Sequence, residues 1–350
     1  MKTTTFPDSD TQVTTQSPVG LIVMNSHEQG EFLPEDLVER LKEQLGQLYI
    51  LQEYDRASFD WLKVLEEYEP EIIFSSWSTP CLPEDLALED VSLKYVCHLP
   101  GGLRNITPRT LLEQGLIVTN WGNSISRTVA ECGLMLILNC LRRATYWQDV
   151  MHREDSWGRT LDGQTSLFNR TVGLHGFGRI SQELAMLLKP FSPRIMALSP
   201  SVPDELLDSY GVQRAADLDE LFSENDIIVE LASMTERNRG VVKERHLRMI
   251  PKGGAFVNIG RAGVVDEKAL LKVAQEGDLQ IGLDVYHREP PEADSPLKGL
   301  MNVTLLPHIA GPTKDRMRDS GELALQNVTA YCQGKELLSQ VSVRQFDNMT

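Results

Sequence analysis

A chain of 350 residues is longer than one hydrophobic core usually organises, so two domains are expected. Its 34 Lys and Arg against 50 Asp and Glu leave a formal charge of −16, which excludes a general nucleic-acid or anionic-membrane footprint and requires an anionic substrate to meet a locally positive site. No apolar run approaches the roughly 18 residues of a membrane span, and the five cysteines, none in C-x-x-C spacing, suit buried thiols in a reducing, cytoplasmic setting. Residues 1–18 are rich in Thr, Ser and Gln, with neither the apolar core of a signal peptide nor the arginines of a transit peptide, and read as a disordered tail. Without a secretory signal, N-x-[ST] triplets such as Asn105-Ile106-Thr107 are chance.

Residues 19–24 form an apolar strand, and Pro34-Glu35-Asp36 opens a helical pattern with Leu37, Leu41 and Leu45 on one face. Residues 48–51 (strand), 55–67 (helix), 72–74 (strand) and 93–97 (strand) continue the alternation. A loop, His98-Leu99-Pro100-Gly101-Gly102-Leu103-Arg104-Asn105, follows the last of these. Pro108 opens a helix, Gly115 closes it, and residues 116–119 are a further strand. Strands alternating with helices force crossover connections, so this first segment is a mostly parallel α/β domain. Residues 126–143 are a helix too apolar for the surface and are expected to bridge two domains. Residues 149–169, with Trp157 among charges and glycines and Trp147 just before, read as a connecting arm that covers either a cleft or a partner subunit.

The second domain reads as strands at 172–175, 194–198, 227–231, 255–259, 280–284 and 303–306, with helices at 182–189, 218–222, 243–249 and 266–275 between them. This is a doubly wound pattern, in which ligands sit beyond the carboxyl ends of the strands. A last helix, residues 314–334, carries Met317, Gly321, Leu325 and Val328 on one stripe and is expected to pack back on the first domain, making it discontinuous.

Between the first strand and helix of the second domain lies Val172-Gly173-Leu174-His175-Gly176-Phe177-Gly178-Arg179-Ile180-Ser181. Gly176 permits a tight turn, and Gly178 lets a pyrophosphate approach the backbone where the helix N-terminus offers free amides. Ser181 takes the place of the fingerprint's third glycine and is small enough for helix and strand to pack closely. His175 is polar where an apolar residue is usual, and is read as a packed ring capped by backbone.

Three further strand ends carry chemistry. Asn258-Ile259-Gly260-Arg261 puts a permanently charged forked donor past a buried strand, either to bind a carboxylate or to pair at the surface. Leu283-Asp284-Val285 places a carboxylate at the next strand end, and Glu289-Pro290 lies on the loop beyond. Pro307-His308-Ile309-Ala310-Gly311 adds a histidine. A lone histidine is usually structural; a histidine, a carboxylate and an arginine past different strands of one sheet suggest proton transfer beside a stabilised anion.

Taken in order, the glycine turn, N-x-G-R, L-D-V-x-x-x-E-P and P-H-I-A-G resemble the D-isomer-specific 2-hydroxyacid dehydrogenase family, which includes glyoxylate/hydroxypyruvate reductases and phosphoglycerate dehydrogenases, over about residues 70–334. The resemblance implies two doubly wound parallel-sheet α/β domains with a cleft between them: a flavodoxin-like substrate domain (19–125 plus 312–340) and a Rossmann dinucleotide-binding domain (126–311). It implies hydride transfer between NAD(H) or NADP(H) and a 2-oxo/D-2-hydroxy acid, with His308 as general acid/base, Glu289 as its partner and Arg261 on the substrate carboxylate and carbonyl. Gly101, Gly102 and Leu103 then offer substrate-binding amides. Gly176, Phe177, Gly178, Arg179, Ile180, Ser199, Ala232, Ile259, Asp284 and Gly311 line the cofactor, with Asp284 at the nicotinamide carboxamide; no metal is implied. A homodimer is implied, with the long helix and the 147–157 arm at its interface.

Two departures stand out. Ser199 replaces the aspartate with which NAD-preferring members hold the ribose, and no arginine within residues 199–203 clamps a 2′-phosphate, so the cofactor stays open between NAD(H) and NADP(H). Pro100 removes one amide from the substrate loop. Ser76, Trp77, His98 and Arg104 are candidates to line the cleft and enlarge the accepted acid, although Trp77 is equally a core residue and Arg104 a surface charge. The alternative function is a catalytically weak NAD(H)-sensing scaffold resembling the C-terminal-binding corepressors, which share the triad. Formate dehydrogenases, which pair their histidine with glutamine, do not fit Glu289.

Overall fold

The computed structural model describes residues 17–153 and 163–347. The chain divides into two compact units, one running to Asn120 and resuming over Gly321–Ser342, the other Trp121–Ser320 with the residues from Val343 onward.

The first unit begins with β1 (Val19–Val23), α1 (Ser26–Phe32), α2 (Glu35–Lys42), β2 (Gln47–Leu51), α3 (Trp61–Tyr68), β3 (Ile72–Ser75), β4 (Tyr95–His98), α4 (Arg109–Glu113) and β5 (Ile117–Thr119). All its strand pairs are parallel, in the order β2-β1-β3-β4-β5. This is the flavodoxin-type order, which reverses direction between β1 and β3 and so opens a ligand crevice at their carboxyl ends. Strands β3 and β4 are buried throughout, as continuous apolar runs between two helical layers should be. The helix expected from Asp55 starts only at Trp61. Asp55 turns its carboxylate onto the Ala57 amide (3.0 Å), and Asp60 caps α3 through the Lys63 amide (3.2 Å). Helix α1 escaped the periodicity because its seven residues bury only Phe32.

The second unit continues with α5 (Ser126–Arg142), α6 (Ala144–Arg153), β6 (Thr171–His175), α7 (Arg179–Leu188), β7 (Arg194–Leu198), α8 (Asp204–Tyr210), β8 (Val212–Arg214), α9 (Leu218–Ser223), β9 (Ile227–Glu230), α10 (Glu244–Leu247), β10 (Ala255–Asn258), α11 (Glu267–Glu276), β11 (Gln280–Leu283) and β12 (Val303–Leu305). Its seven strands pair in parallel in the order β12-β11-β10-β9-β6-β7-β8. The reversal between β6 and β9 is that of a Rossmann sheet. Side chains alternate between its faces: Val172, Leu174 and Val257 pack with α5 and α7, and Ile228, Phe256 and Ile281 with α9 and α11. At Gly133 of α5 a Cβ would lie 2.7 Å from the Ile259 methyl, so the helix packs closely on that side chain.

Part of what was expected to be a connecting arm from residue 149 is α6, which buries Val150. Trp157 and the rest of the arm through 162 lie outside the described residues, as does the tail to residue 16. The helix expected over 182–189 begins at Arg179, immediately after the glycine turn, and that over 243–249 shrinks to four residues. Neither α8 nor β8 was anticipated; β8 has three residues, of which Val212 alone is buried, too short a signal for period-two patterning.

Instead of one helix from Lys314, a 3-10 turn at Lys314–Arg316 precedes α12 (Arg318–Cys332). From Gly321 onward this helix belongs to the first unit. A Cβ at Gly321 would sit 1.9 Å from the Phe32 carbonyl oxygen and 2.8 Å from a Leu37 methyl. Gly321→Ala is therefore expected to destabilise the protein by about 3 kcal/mol, visible as a lowered urea midpoint, because backbone rather than a flexible side chain must move. Further along α12 the Tyr331 hydroxyl donates to Glu71 Oε1 (2.8 Å), and its ring lies 5.2 Å from that of Tyr95. A short α13 (Val343–Asp347) follows.

All five cysteines are free. Cys97 and Cys140 are buried, but Cys81 and Cys332 are exposed, contrary to the expectation of burial, because one sits in a loop and the other at the last turn of α12. Among the described residues no helix is long and apolar enough to cross a membrane.

Candidate active site

The glycine turn after β6 is built by exclusion. Gly176 has φ +93°, and a Cβ there would meet Leu231 O at 2.9 Å and Ala232 N at 3.0 Å, so no L side chain fits by conformation or by space. At Gly178 a Cβ would meet nothing within 4 Å; the space above it is open. No side chain caps α7, and Gln182 is its first residue to find a backbone acceptor there, Gly178 O at 3.0 Å. Ser181, in the third glycine's place, is buried and donates its hydroxyl to Gly176 O (2.9 Å), so it closes the turn as well as fitting it. Phe177 turns its ring into the core against Tyr210 (5.6 Å), Ile180 is half-buried, and Arg179 is exposed with Nη1 3.4 Å from Gln182 Oε1.

At the far side of the same edge, Asp284 ends β11. Its buried carboxylate accepts the amides of Ile309 (2.8 Å) and Ala310 (3.0 Å), anchoring the loop that carries His308. Burial raises its pKa, and the two amide bonds oppose that rise. His308 adopts φ +56°, and its Nδ1 lies 2.6 Å from Glu289 Oε2. A carboxylate only accepts, so Nδ1 carries the hydrogen and Nε2 is left for other partners. Glu289 is fixed in turn by accepting the Tyr286 amide at Oε1 (2.9 Å), and the Tyr286 hydroxyl ties the two loops by donating to Leu306 O (2.6 Å). Sequence reasoning passed over Tyr286; its place inside the L-D-V-x-x-x-E-P run was the only signal.

Arg261 follows β10 on a turn shaped by Asn258, whose Oδ1 accepts the Gly260 amide at 3.1 Å. Its Nη1 donates to Gly260 O (2.8 Å). Desolvation draws the guanidinium below its ordinary pKa, and the charge of Glu289 opposes this. Arginine, glutamate and histidine thus gather past β10, β11 and β12. Ile259 is buried beside α5, and at Gly311 a Cβ would meet nothing within 4 Å.

The loop after β7 differs from what its sequence suggested. Ser199 is buried, and Arg214 reaches the loop from β8, donating to Ser199 O (3.0 Å) and Val202 O (2.6 Å) and pairing with Asp204. A guanidinium therefore does underlie residues 199–203, supplied from a strand too short to be foreseen. His175 is likewise not capped by backbone: its Nδ1 lies 2.6 Å from Glu230 Oε2, on the neighbouring strand.

In the first unit, Gly101, Gly102 and Leu103 follow β4. The Gly101 carbonyl accepts from Asn120 Nδ2 (2.9 Å) and the Leu103 carbonyl from the Ile106 and Thr107 amides (both 2.9 Å), bonds that pin the loop by its carbonyls and not its amides. The Leu103 side chain is wholly buried. His98 lies under the loop rather than lining it: it is buried, 2.9 Å from the Ser75 hydroxyl, and burial pulls its pKa down to about 3. Ser76 is buried too and donates to Glu28, whereas Trp77 and Arg104 are exposed. Among the described residues no three His, Cys, Asp or Glu side chains are grouped to hold a metal.

Comparison with known proteins bears on the family and the fold. Residues 134–310, half of the chain, match the model of the family described as D-isomer specific 2-hydroxyacid dehydrogenase, NAD binding domain. A hydroxypyruvate reductase of Thermotoga maritima is 32% identical over 74% of this chain and 83% of its own length. A D-3-phosphoglycerate dehydrogenase of Methanocaldococcus jannaschii is 30% identical over 69% of this chain, but the match spans only 46% of that longer protein. The crystal structure of a glyoxylate reductase from Paecilomyes thermophila superposes with a TM-score of 0.74 at 25% identity, covering 93% of this chain and 98% of that one. With its glycine turn, its parallel sheets and half its length in register with the family's own model, the chain belongs to the D-isomer specific 2-hydroxyacid dehydrogenases.

Proposed function

We propose that this protein is a nicotinamide-dependent oxidoreductase that interconverts a 2-oxo acid and a D-2-hydroxy acid. The observation that carries the reading is the His308–Glu289 pair, 2.6 Å apart, at the carboxyl edge of the sheet that also bears the glycine turn. The turn fits a dinucleotide: Gly176 leaves no room for a side chain and Gly178 leaves open space before an uncapped helix, the arrangement a pyrophosphate needs. When bound, the nicotinamide supplies or takes up the hydride.

The chain's own groups do the rest. Reduction of a 2-oxo acid builds negative charge on the carbonyl oxygen, to which His308 delivers a proton through Nε2; in the reverse direction the neutral ring accepts the hydroxyl proton. Glu289 holds the ring's tautomer and orientation and stabilises its charged form. Arg261 binds the carboxylate and stabilises the developing oxyanion. The amides of Gly101, Gly102 and Leu103 are proposed as substrate donors on the first unit's own loop, and Asp284 keeps the His308 loop in place. The test is oxidation of NADH and NADPH with a panel of 2-oxo acids of rising size. Turnover of any of them supports the reading; tight cofactor binding with no turnover across the panel counts against it.

Cofactor choice follows from Ser199. No carboxylate stands at residue 199 to repel a 2′-phosphate, and Arg214 beneath the loop is taken up by Ser199 O, Val202 O and Asp204, so Ser199 itself does not select NADH over NADPH. Ser199→Asp is expected to lower kcat/KM for NADPH relative to NADH by about 30-fold, the effect of one like charge at a partly exposed site; an unchanged ratio would remove residue 199 from cofactor selection.

A further inference from the structure

Two ionisable side chains are buried at the glycine-turn edge, and the chemistry proposed above uses neither. His175 ends β6, Glu230 ends β9, and they are register partners on adjacent strands. His175 Nδ1 lies 2.6 Å from Glu230 Oε2; the glutamate is fully buried and the histidine nearly so. The other carboxylate oxygen accepts the Ala232 amide at 2.8 Å. That amide nitrogen is one of the atoms on which Gly176 is packed. From the opposite side Gly260, next to Arg261, is pressed against the Glu230 carbonyl, where a Cβ would lie at 2.9 Å. Glu230 therefore stands where the loops after β6, β9 and β10 meet.

A buried carboxylate opposes an anionic ligand, and this is the edge that must receive a pyrophosphate. His175 supplies the opposing charge. Burial alone depresses the imidazole's pKa, but the charge of Glu230 and its hydrogen bond outweigh burial and raise it above the ordinary histidine value. Glu230, from β9, is the charge that raises the pKa of His175. On α10, His246 also interacts with it electrostatically; burial and Arg245 lower the His246 pKa against the pull of Asp219 of α9, 3.2 Å from its Nε2, so this second ring adds no competing cation above that lowered value.

We infer that the His175–Glu230 pair is a positioning element of the dinucleotide site that makes cofactor affinity depend on one proton. With His175 charged, the pair is neutral and the Ala232 loop is clamped to the glycine turn; with His175 neutral, Glu230 leaves an uncompensated negative charge at the edge. The inference rests on the nicotinamide-dinucleotide reading above. The sign is set by the raised pKa of the folded protein: the favourable contribution is present while His175 is charged and is lost as the pH rises through that raised value.

The test is direct NADH binding, followed by nicotinamide fluorescence from pH 6 to 9, with thermal melts on the same samples. Wild-type affinity is expected to weaken about tenfold across that range. Glu230→Gln keeps the Ala232 amide bond at its carbonyl oxygen and turns its NH2 to donate to Nδ1 of a neutral His175, so it should bind like wild type at pH 6 and stay flat. His175→Gln should bind weakly at every pH, and the double variant should recover tight, flat binding. A pair that only stabilises the fold would shift the melts and leave the slope intact. A wild-type affinity that is flat with pH, or a Glu230→Gln profile that keeps the wild-type slope, overturns the inference. Should His175→Gln fail to fold, the wild type and Glu230→Gln decide alone. If wild type binds neither NADH nor NADPH, it is the oxidoreductase reading that has failed.

Discussion

His308→Asn is expected to lower kcat for 2-oxo acid reduction by about 10³-fold while NADH binding survives. Asparagine is the informative replacement because His308 holds φ +56°, a left-handed conformation that asparagine tolerates and alanine does not, so backbone strain is kept out of the comparison. What is lost is the proton at Nε2, since Nδ1 is committed to Glu289. Glu289→Gln should cost less, about 10²-fold, because an amide can still orient the ring but cannot stabilise its charged form. Single-turnover mixing of enzyme and NADH with the oxo acid separates the chemical step from product release. A His308→Asn enzyme within tenfold of wild type in that step would show that the proton comes from elsewhere.

That experiment was already legible in the sequence, and the reason is physical. His308, Glu289 and Arg261 each sit three to six residues past a buried strand, and parallel strands bring their carboxyl ends to one edge whatever the loops do. That both sheets are parallel follows from crossover connections in the same way. Groups held by long-range pairing escaped. Arg214 approaches Ser199 from a three-residue strand whose pattern is too short to register. Glu230 lies 55 residues from His175, and nothing in either segment says that β9 rather than another strand will be the neighbour of β6. A buried polar residue in an apolar run announces that a partner exists; only the fold names it.

The second large effect concerns Arg261. Arg261→Gln is expected to reduce kcat/KM for 2-oxo acids by about 10³-fold, mostly through KM, with NADH affinity within threefold of wild type. Lysine should not rescue it. A carboxylate is held by two parallel N–H donors of a planar fork, and an ammonium presents a single strongly hydrated point charge. The turn that carries the residue is itself specified, with Asn258 accepting the Gly260 amide and the guanidinium lying against Gly260 O, so the fork's position is set by backbone rather than by a free side chain. A 2-oxo amide supplies the decisive control. Replacing the substrate's carboxylate by an uncharged amide should cost wild type most of what the arginine contributes, while the Arg261→Gln enzyme should distinguish the two substrates by less than tenfold. If the variant still prefers the acid by the wild-type margin, Arg261 does not contact the carboxylate.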